Sequence, residues 1–287
     1  MNTIATSAGT TTPSIPARRM NLVGRHPLIT FFVLAFGLSW LAAIPYALGL
    51  FPVPILTFGP SLAAVIVAAL TTGRAGLREL LSRITRWRVG LGWYAVALLA
   101  SVPCFLLIVY VNVLWGAPAP TAAQLGALGS LAGLLLGLII NPFGGAWEEL
   151  GWRGYALPRL QARHSPLIAS LILGVLWAAW HLPMSITGLI PWPNVLAVIG
   201  LNVVFSWLFN HTRGSVLIAF LFHAAFDAVG GWYIPLFQGP DLVRMYWLMA
   251  AAAAVVAAAI VIPGRRFWLT RMPATPGDPR VEVAPRV

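Results

Sequence analysis

The stretch Trp147-Glu148-Glu149-Leu150-Gly151-Trp152-Arg153 places two adjacent carboxylates and a guanidinium in a chain with only 7 Asp and Glu among 287 residues. The run before it, Leu125 to Ala146, is apolar or small apart from Ser130 and Asn141. A charge at the centre of a membrane helix costs about 2.5 to 3.5 kcal/mol on insertion scales, so charges retained there call for an internal reason. Four apart on a helix, Glu149 and Arg153 share a face and can pair; Glu148 is turned about 100° from Glu149. A structural ion pair with a spare glutamate would account for this stretch alone. Two other apolar stretches argue for more. His181 lies in Leu176-Trp177-Ala178-Ala179-Trp180-His181, and His223 and Asp227 lie four apart in Phe222-His223-Ala224-Ala225-Phe226-Asp227. Counted at 1.5 Å per residue from the predicted inner ends, these groups fall at a similar depth, about 12 to 22 Å in. Lipid cannot solvate them, so they must face one another or a polar cavity within the membrane.

Carboxylates and imidazoles gathered in this way support two chemistries. Glu148, His181, His223 and Asp227 could hold a divalent metal, zinc above all, with a position open for water. The same groups could work without metal, with Glu148 as general base and the others stabilising an oxyanion. Arg153 engages Glu149 as an anchor, which leaves Glu148 as the better base. His26, His164 and His211 sit at predicted helix ends and read as interfacial. Cys104, the single cysteine, excludes an intramolecular disulfide and a multi-thiolate metal site.

The elements that must position these groups are membrane helices. The chain is 59% hydrophobic and 9% charged, far below the roughly 25% charged residues of soluble domains. All 18 basic residues are arginine, which excludes lysine chemistry, and their dispersal between apolar runs speaks against nucleic-acid binding. The predicted class is all-α and polytopic, with about eight spans between residues 28 and 262: about 28–50, 55–72, 91–115, 125–150, 167–190, 195–210, 215–234 and 242–262. Pro142 and Gly144-Gly145 predict a kink or local unwinding just before the glutamates. Residues 73–90, with five arginines among leucines, predict a basic amphipathic helix on the membrane surface. Residues 1–27 and 263–287 read as disordered tails. With both termini in the cytoplasm, every arginine except Arg244 falls on the inner side.

Glu148-Glu149-x-x-x-Arg153, Trp177-x-x-x-His181 and His223-x-x-x-Asp227, in this order, resemble the CPBP intramembrane proteases. That group comprises the type II CAAX prenyl endopeptidases and the bacterial abortive-infection-type proteins. The resemblance covers residues 125–234. It implies that Glu148 activates water with help from His181, that Glu149 and Arg153 complete the first motif, and that His223 and Asp227 bind a metal or the oxyanion. It also implies a peptide or prenylated-protein substrate at the membrane. Two positions depart from the family pattern: Trp177 stands where Phe is usual, and Asp227 where the prenyl-processing members usually carry Asn. Asn can donate to an oxyanion and an ionised Asp cannot. The competing readings are a non-catalytic scaffold of the same fold and a proton-coupled transporter. The full set of ionisable groups argues against the scaffold, and the apolar outer halves of the spans argue against the transporter.

Overall fold

The computed structural model describes residues 22–126, 136 and 144–271. Among them the chain is helical, without strands. The first span comprises α1 (Pro27–Trp40) and a short continuation, Ala43–Ala47; α2 (Gly59–Thr71) follows. The amphipathic α3 (Arg74–Ile84) precedes a span broken at Ala100 into α4 (Leu91–Leu99) and α5 (Ser101–Leu114). Beyond the site come α6 (Pro166–Trp180), α7 (Asn194–His211), α8 (Val216–Tyr233), α9 (Gly239–Val261) and a short α10 (Arg265–Leu269). Among the described residues five stretches are long and apolar enough to cross a membrane: Pro27–Ala47, Leu91–Leu114, Asn194–His211, Val216–Leu236 and Gly239–Val261. The apolar α2 and α6 are shorter. The molecule is a multi-pass membrane protein. Most of the predicted 125–150 span lies outside the described residues, as do tail residues 1–21 and 272–287.

The outside of the bundle is apolar, as lipid requires. Val33, Ile44, Leu107 and Val255 are each at least 60% exposed. Between helices, lipid offers no hydrophobic gain on association, so close packing must come from small residues. A Cβ added at Gly174 of α6 would lie 3.1 Å from the Ile199 carbonyl oxygen of α7. One added at Gly200 of α7 would lie 3.0 Å from Ala253 of α9. These glycines let α6, α7 and α9 approach backbone to backbone, and α8 packs beside α7.

Around the glutamates the backbone leaves the α form. Gly145–Glu148 is a 3-10 turn, and Leu150–Ala156 is a π-helix ending in the short helix Leu157–Gln161. π-Helical turns are rare and concentrate at functional sites. The unwinding predicted from Gly144-Gly145 therefore meets a non-α stretch from 145 to 156, while Pro142 lies outside the described residues. The π segment packs on α2 through Gly151, where a Cβ would lie 2.5 Å from the Pro60 backbone. The predicted C-terminal tail begins too early: α10 is helical and Trp268 is buried. Two bulky aromatics, Phe267 against His211 and Trp268 in the interior, hold that turn to the bundle.

Candidate active site

The 3-10 turn and the π-helix direct Glu148 and Glu149 into the protein, where they are 2% and 0% exposed. Each is held by a different set of donors. Glu149 Oε1 accepts from Arg153 Nη1 at 2.9 Å and lies 2.7 Å from His223 Nδ1. The other arm of the guanidinium, Arg153 Nη2, donates to Asn202 Oδ1 at 2.8 Å, and Asn202 Nδ2 donates to the Ser170 carbonyl at 2.6 Å. Arg153 is also sandwiched by the rings of Trp177 and Phe205, 4.3 and 4.0 Å from its Cζ. A buried guanidinium needs a counter-charge and bonded donors; this one meets Glu149 and Asn202 through Nη1 and Nη2, while Nε has no hydrogen-bond partner among the described residues. The pairing of Glu149 with Arg153 expected from their spacing is present, with Asn202 added.

Glu148 has indole donors instead. Trp152 Nε1 donates to its Oε2 at 2.9 Å and Trp177 Nε1 donates to the same oxygen at 2.7 Å. Hydrogen bonds to a charged acceptor are about twice as strong as neutral ones, and two on one oxygen fix the carboxylate plane. Oε1 receives neither indole.

Trp177 is the hub of the arrangement. Its indole N–H reaches Glu148, its carbonyl accepts from His181 Nδ1 at 2.8 Å, and its ring lies 5.7 Å from the rings of both His181 and His223. A carbonyl only accepts, so His181 Nδ1 carries the proton; in the neutral imidazole Nε2 is then the lone pair. His223 spans two carboxylates. Nδ1 faces Glu149, and Nε2 lies 3.6 Å from Asp227 Oδ2, beyond hydrogen-bond length. The side chain of Asp227 is 35% exposed. The site is therefore closed around the glutamates and open on the Asp227 side. Gly145 makes room there: a Cβ would come 2.7 Å from Asp227 Oδ2 and 2.9 Å from His223 Nε2.

All six residues singled out in the sequence lie in or beside this network. Glu148, Glu149, Arg153 and His223 meet directly or through one side chain, while His181 is joined through Trp177. As a zinc site the set fits poorly. Among the described residues no three His, Cys, Asp or Glu form a group that could hold a metal ion. Both indole N–H groups converge on Glu148 Oε2, and both His223 nitrogens face carboxylates, so neither residue offers a cation its full donor set. Sequence reasoning missed the donors Trp152, Trp177 and Asn202. The signal for Asn202 was present, as a lone amide inside an apolar span.

Residues 127–229, which contain all three motifs, match the family described as type II CAAX prenyl endopeptidase Rce1-like. Over this segment the chain is similar to the CPBP proteases. A curated relative, CAAX prenyl protease 2 of Methanococcus maripaludis, is 33% identical over 89 residues. That alignment takes in 27% of this chain and 33% of the relative, so the chain spans about a third of that relative's length. The matched segment begins outside the described residues and ends on α8, two residues after Asp227. It therefore coincides with the hydrogen-bonded network and leaves α1 to α5 and α9 outside.

Proposed function

We propose that this protein is a CAAX-type intramembrane endopeptidase that hydrolyses a peptide bond of a membrane-anchored substrate with water activated by Glu148. The observation that carries the reading is the pair of indole donors on Glu148 Oε2, within a segment that matches a family of prenyl endopeptidases. With Oε2 held, Oε1 is the oxygen that takes a proton from water. The hydroxide formed attacks the scissile carbonyl carbon, and the C=O electron pair moves onto oxygen. Glu148 then returns its proton to the leaving nitrogen as the C–N bond breaks. His181, with its Nε2 lone pair, assists in orienting the water. In this reading His223, whose Nδ1 faces Glu149, donates from Nε2 to the oxyanion, and Asp227 lies beside it. No step is routed through a metal.

The substrate proposed is a prenylated peptide. An apolar cavity of about 320 Å³ is lined by Phe222 and Phe226, which flank His223 and Asp227 on α8, together with Phe105 and Met249. None of the site residues lines it, so the isoprenoid of this reading lies on the adjoining face of α8 from His223 and Asp227. In this reading both termini are cytoplasmic and substrate enters from that side. The test is incubation of purified protein with matched prenylated and unprenylated peptides, read by mass spectrometry. The reading expects one internal cleavage, faster for the prenylated form. Intact peptides of both kinds would remove it.

A further inference from the structure

The second cluster of chemistry in the molecule is cationic and lies away from the glutamates. α3 and the segment after it carry Arg74, Arg78, Arg83, Arg86 and Arg88, and the turn joining α7 to α8 adds Arg213. These groups are brought together. Arg213 Nη2 donates to the Arg88 carbonyl at 2.6 Å, Arg86 Nη1 donates to the Arg213 carbonyl, and Ser215 Oγ donates to the Arg86 carbonyl at 2.7 Å. At Gly214 an added Cβ would lie 3.5 Å from both Arg83 Nη1 and Arg86 Nη1, so two guanidiniums face one point. Like charges held this close repel unless an anion sits between or above them. Among the described residues on this face one carboxylate, Glu79, pairs with Arg83 at 2.6 Å. Asp241, bonded to Arg244, lies at the opposite end of the bundle beside the end of α5.

The backbone carries a second mark. Arg213 has φ +57°, a left-handed conformation in which glycine is the inexpensive choice. An arginine kept there costs stability, and such strain concentrates where a side chain has work to do.

The apolar part of α3 identifies the partner. Gly76 and Leu80 are buried against the bundle, whereas Leu77, Leu81 and Ile84, one turn apart, form an exposed stripe continued by Trp87. Arg74 and Arg78 flank that stripe and are exposed. An apolar stripe beside arginines is the pattern of a helix lying in the headgroup layer, with side chains in the acyl boundary and guanidiniums at the phosphates. A soluble acidic protein would satisfy the charges and leave the stripe in water.

We propose that α3 and the Arg83–Arg86–Arg213 cluster form a binding surface for anionic phospholipid headgroups of the bilayer. The surface touches the site's scaffold: Leu80 of α3 packs near Gly154 of the π-helix, next to Arg153. Lipid held by α3 therefore braces the segment that positions Glu149.

The test needs no peptide substrate and so stands apart from the proteolytic reading. Full-length protein in detergent is titrated with phosphatidylglycerol, phosphatidylcholine or inorganic phosphate, and the thermal midpoint and lipid retained in native mass spectrometry are recorded. A saturable rise with phosphatidylglycerol, absent with phosphatidylcholine and weak with free phosphate, is expected. Arg213→Gly keeps the left-handed turn, and Arg74→Gln with Arg78→Gln alters exposed side chains, so these variants should fold. Each arginine removed should reduce the preference for phosphatidylglycerol by about fivefold. Equal responses to the two lipids, or a preference unchanged in both variants, would overturn the proposal. Equal binding of free phosphate would assign the cluster to a soluble anion instead.

Discussion

Trp177 Nε1 donates to Glu148 Oε2 at 2.7 Å, so the residue that begins the second motif holds the glutamate of the first. The family pattern usually has Phe at this position, which supplies a ring but no donor. Trp177→Phe therefore separates the two contributions. A hydrogen bond to a charged group is worth about 1.5 to 3 kcal/mol, which corresponds to a fall in kcat of about 10- to 100-fold if the bond positions the base. KM should hold, because the ring remains against His181 and His223. Full activity in this variant would show that only the aromatic face matters.

Arg153→Ala should cost stability before it costs anything else. It strands Glu149, which is 0% exposed, and takes a partner from Asn202. Removing one member of a buried pair costs about 3 to 5 kcal/mol. The thermal midpoint and the folded yield should fall together with hydrolysis. An inactive variant as stable as wild type would place Arg153 in the chemistry and not in the scaffold.

Two glycines of the first motif region should answer differently to alanine. At Gly151 the new methyl meets the Pro60 backbone at 2.5 Å, which cannot yield, so Gly151→Ala should lose folded protein. At Gly145 it meets the ends of His223 and Asp227, which can swing aside. Gly145→Ala should fold and lose activity by up to about 100-fold, the scale of an ångström-sized misplacement. Circular dichroism and turnover measured side by side distinguish the two.

Asp227→Asn reports on the oxyanion and on metal together. If Asp227 works beside the oxyanion, Asn should be tolerated or improve turnover, since its amide donates. A metal ligand replaced by a neutral amide should instead lose metal affinity and activity in step. The expected result is retained hydrolysis, unaffected by a divalent-metal chelator in wild type and variant alike.

Much of the site was legible before any coordinates. Intramembrane charge is expensive, so each ionisable residue in an apolar run announced itself, and spacing by four paired Glu149 with Arg153 and His223 with Asp227. The amphipathic α3 was legible from its alternation of arginine and leucine. What spacing could not reveal was the indole hub. A tryptophan in a membrane span reads as filler, and whether its N–H finds an acceptor depends on how α6 sits against the π-helix. The π-helix itself was hidden for a related reason. Glycines and a proline signal departure from the α form, but packing on Pro60 decides which departure is taken. The early edge given to the C-terminal tail came from its arginines and prolines, and two aromatics outweighed them.

The most direct measurement of the central claim is hydrolysis of a prenylated peptide by Glu148→Gln. The amide keeps size and polarity and accepts the indole bonds through its oxygen, but it cannot take a proton from water. General-base catalysis contributes about 10² to 10⁴-fold, so turnover should fall by at least that lower bound while peptide binding, followed by fluorescence anisotropy, is unchanged. Hydrolysis at the wild-type rate in Glu148→Gln would contradict the account and leave a non-catalytic membrane scaffold as the better reading.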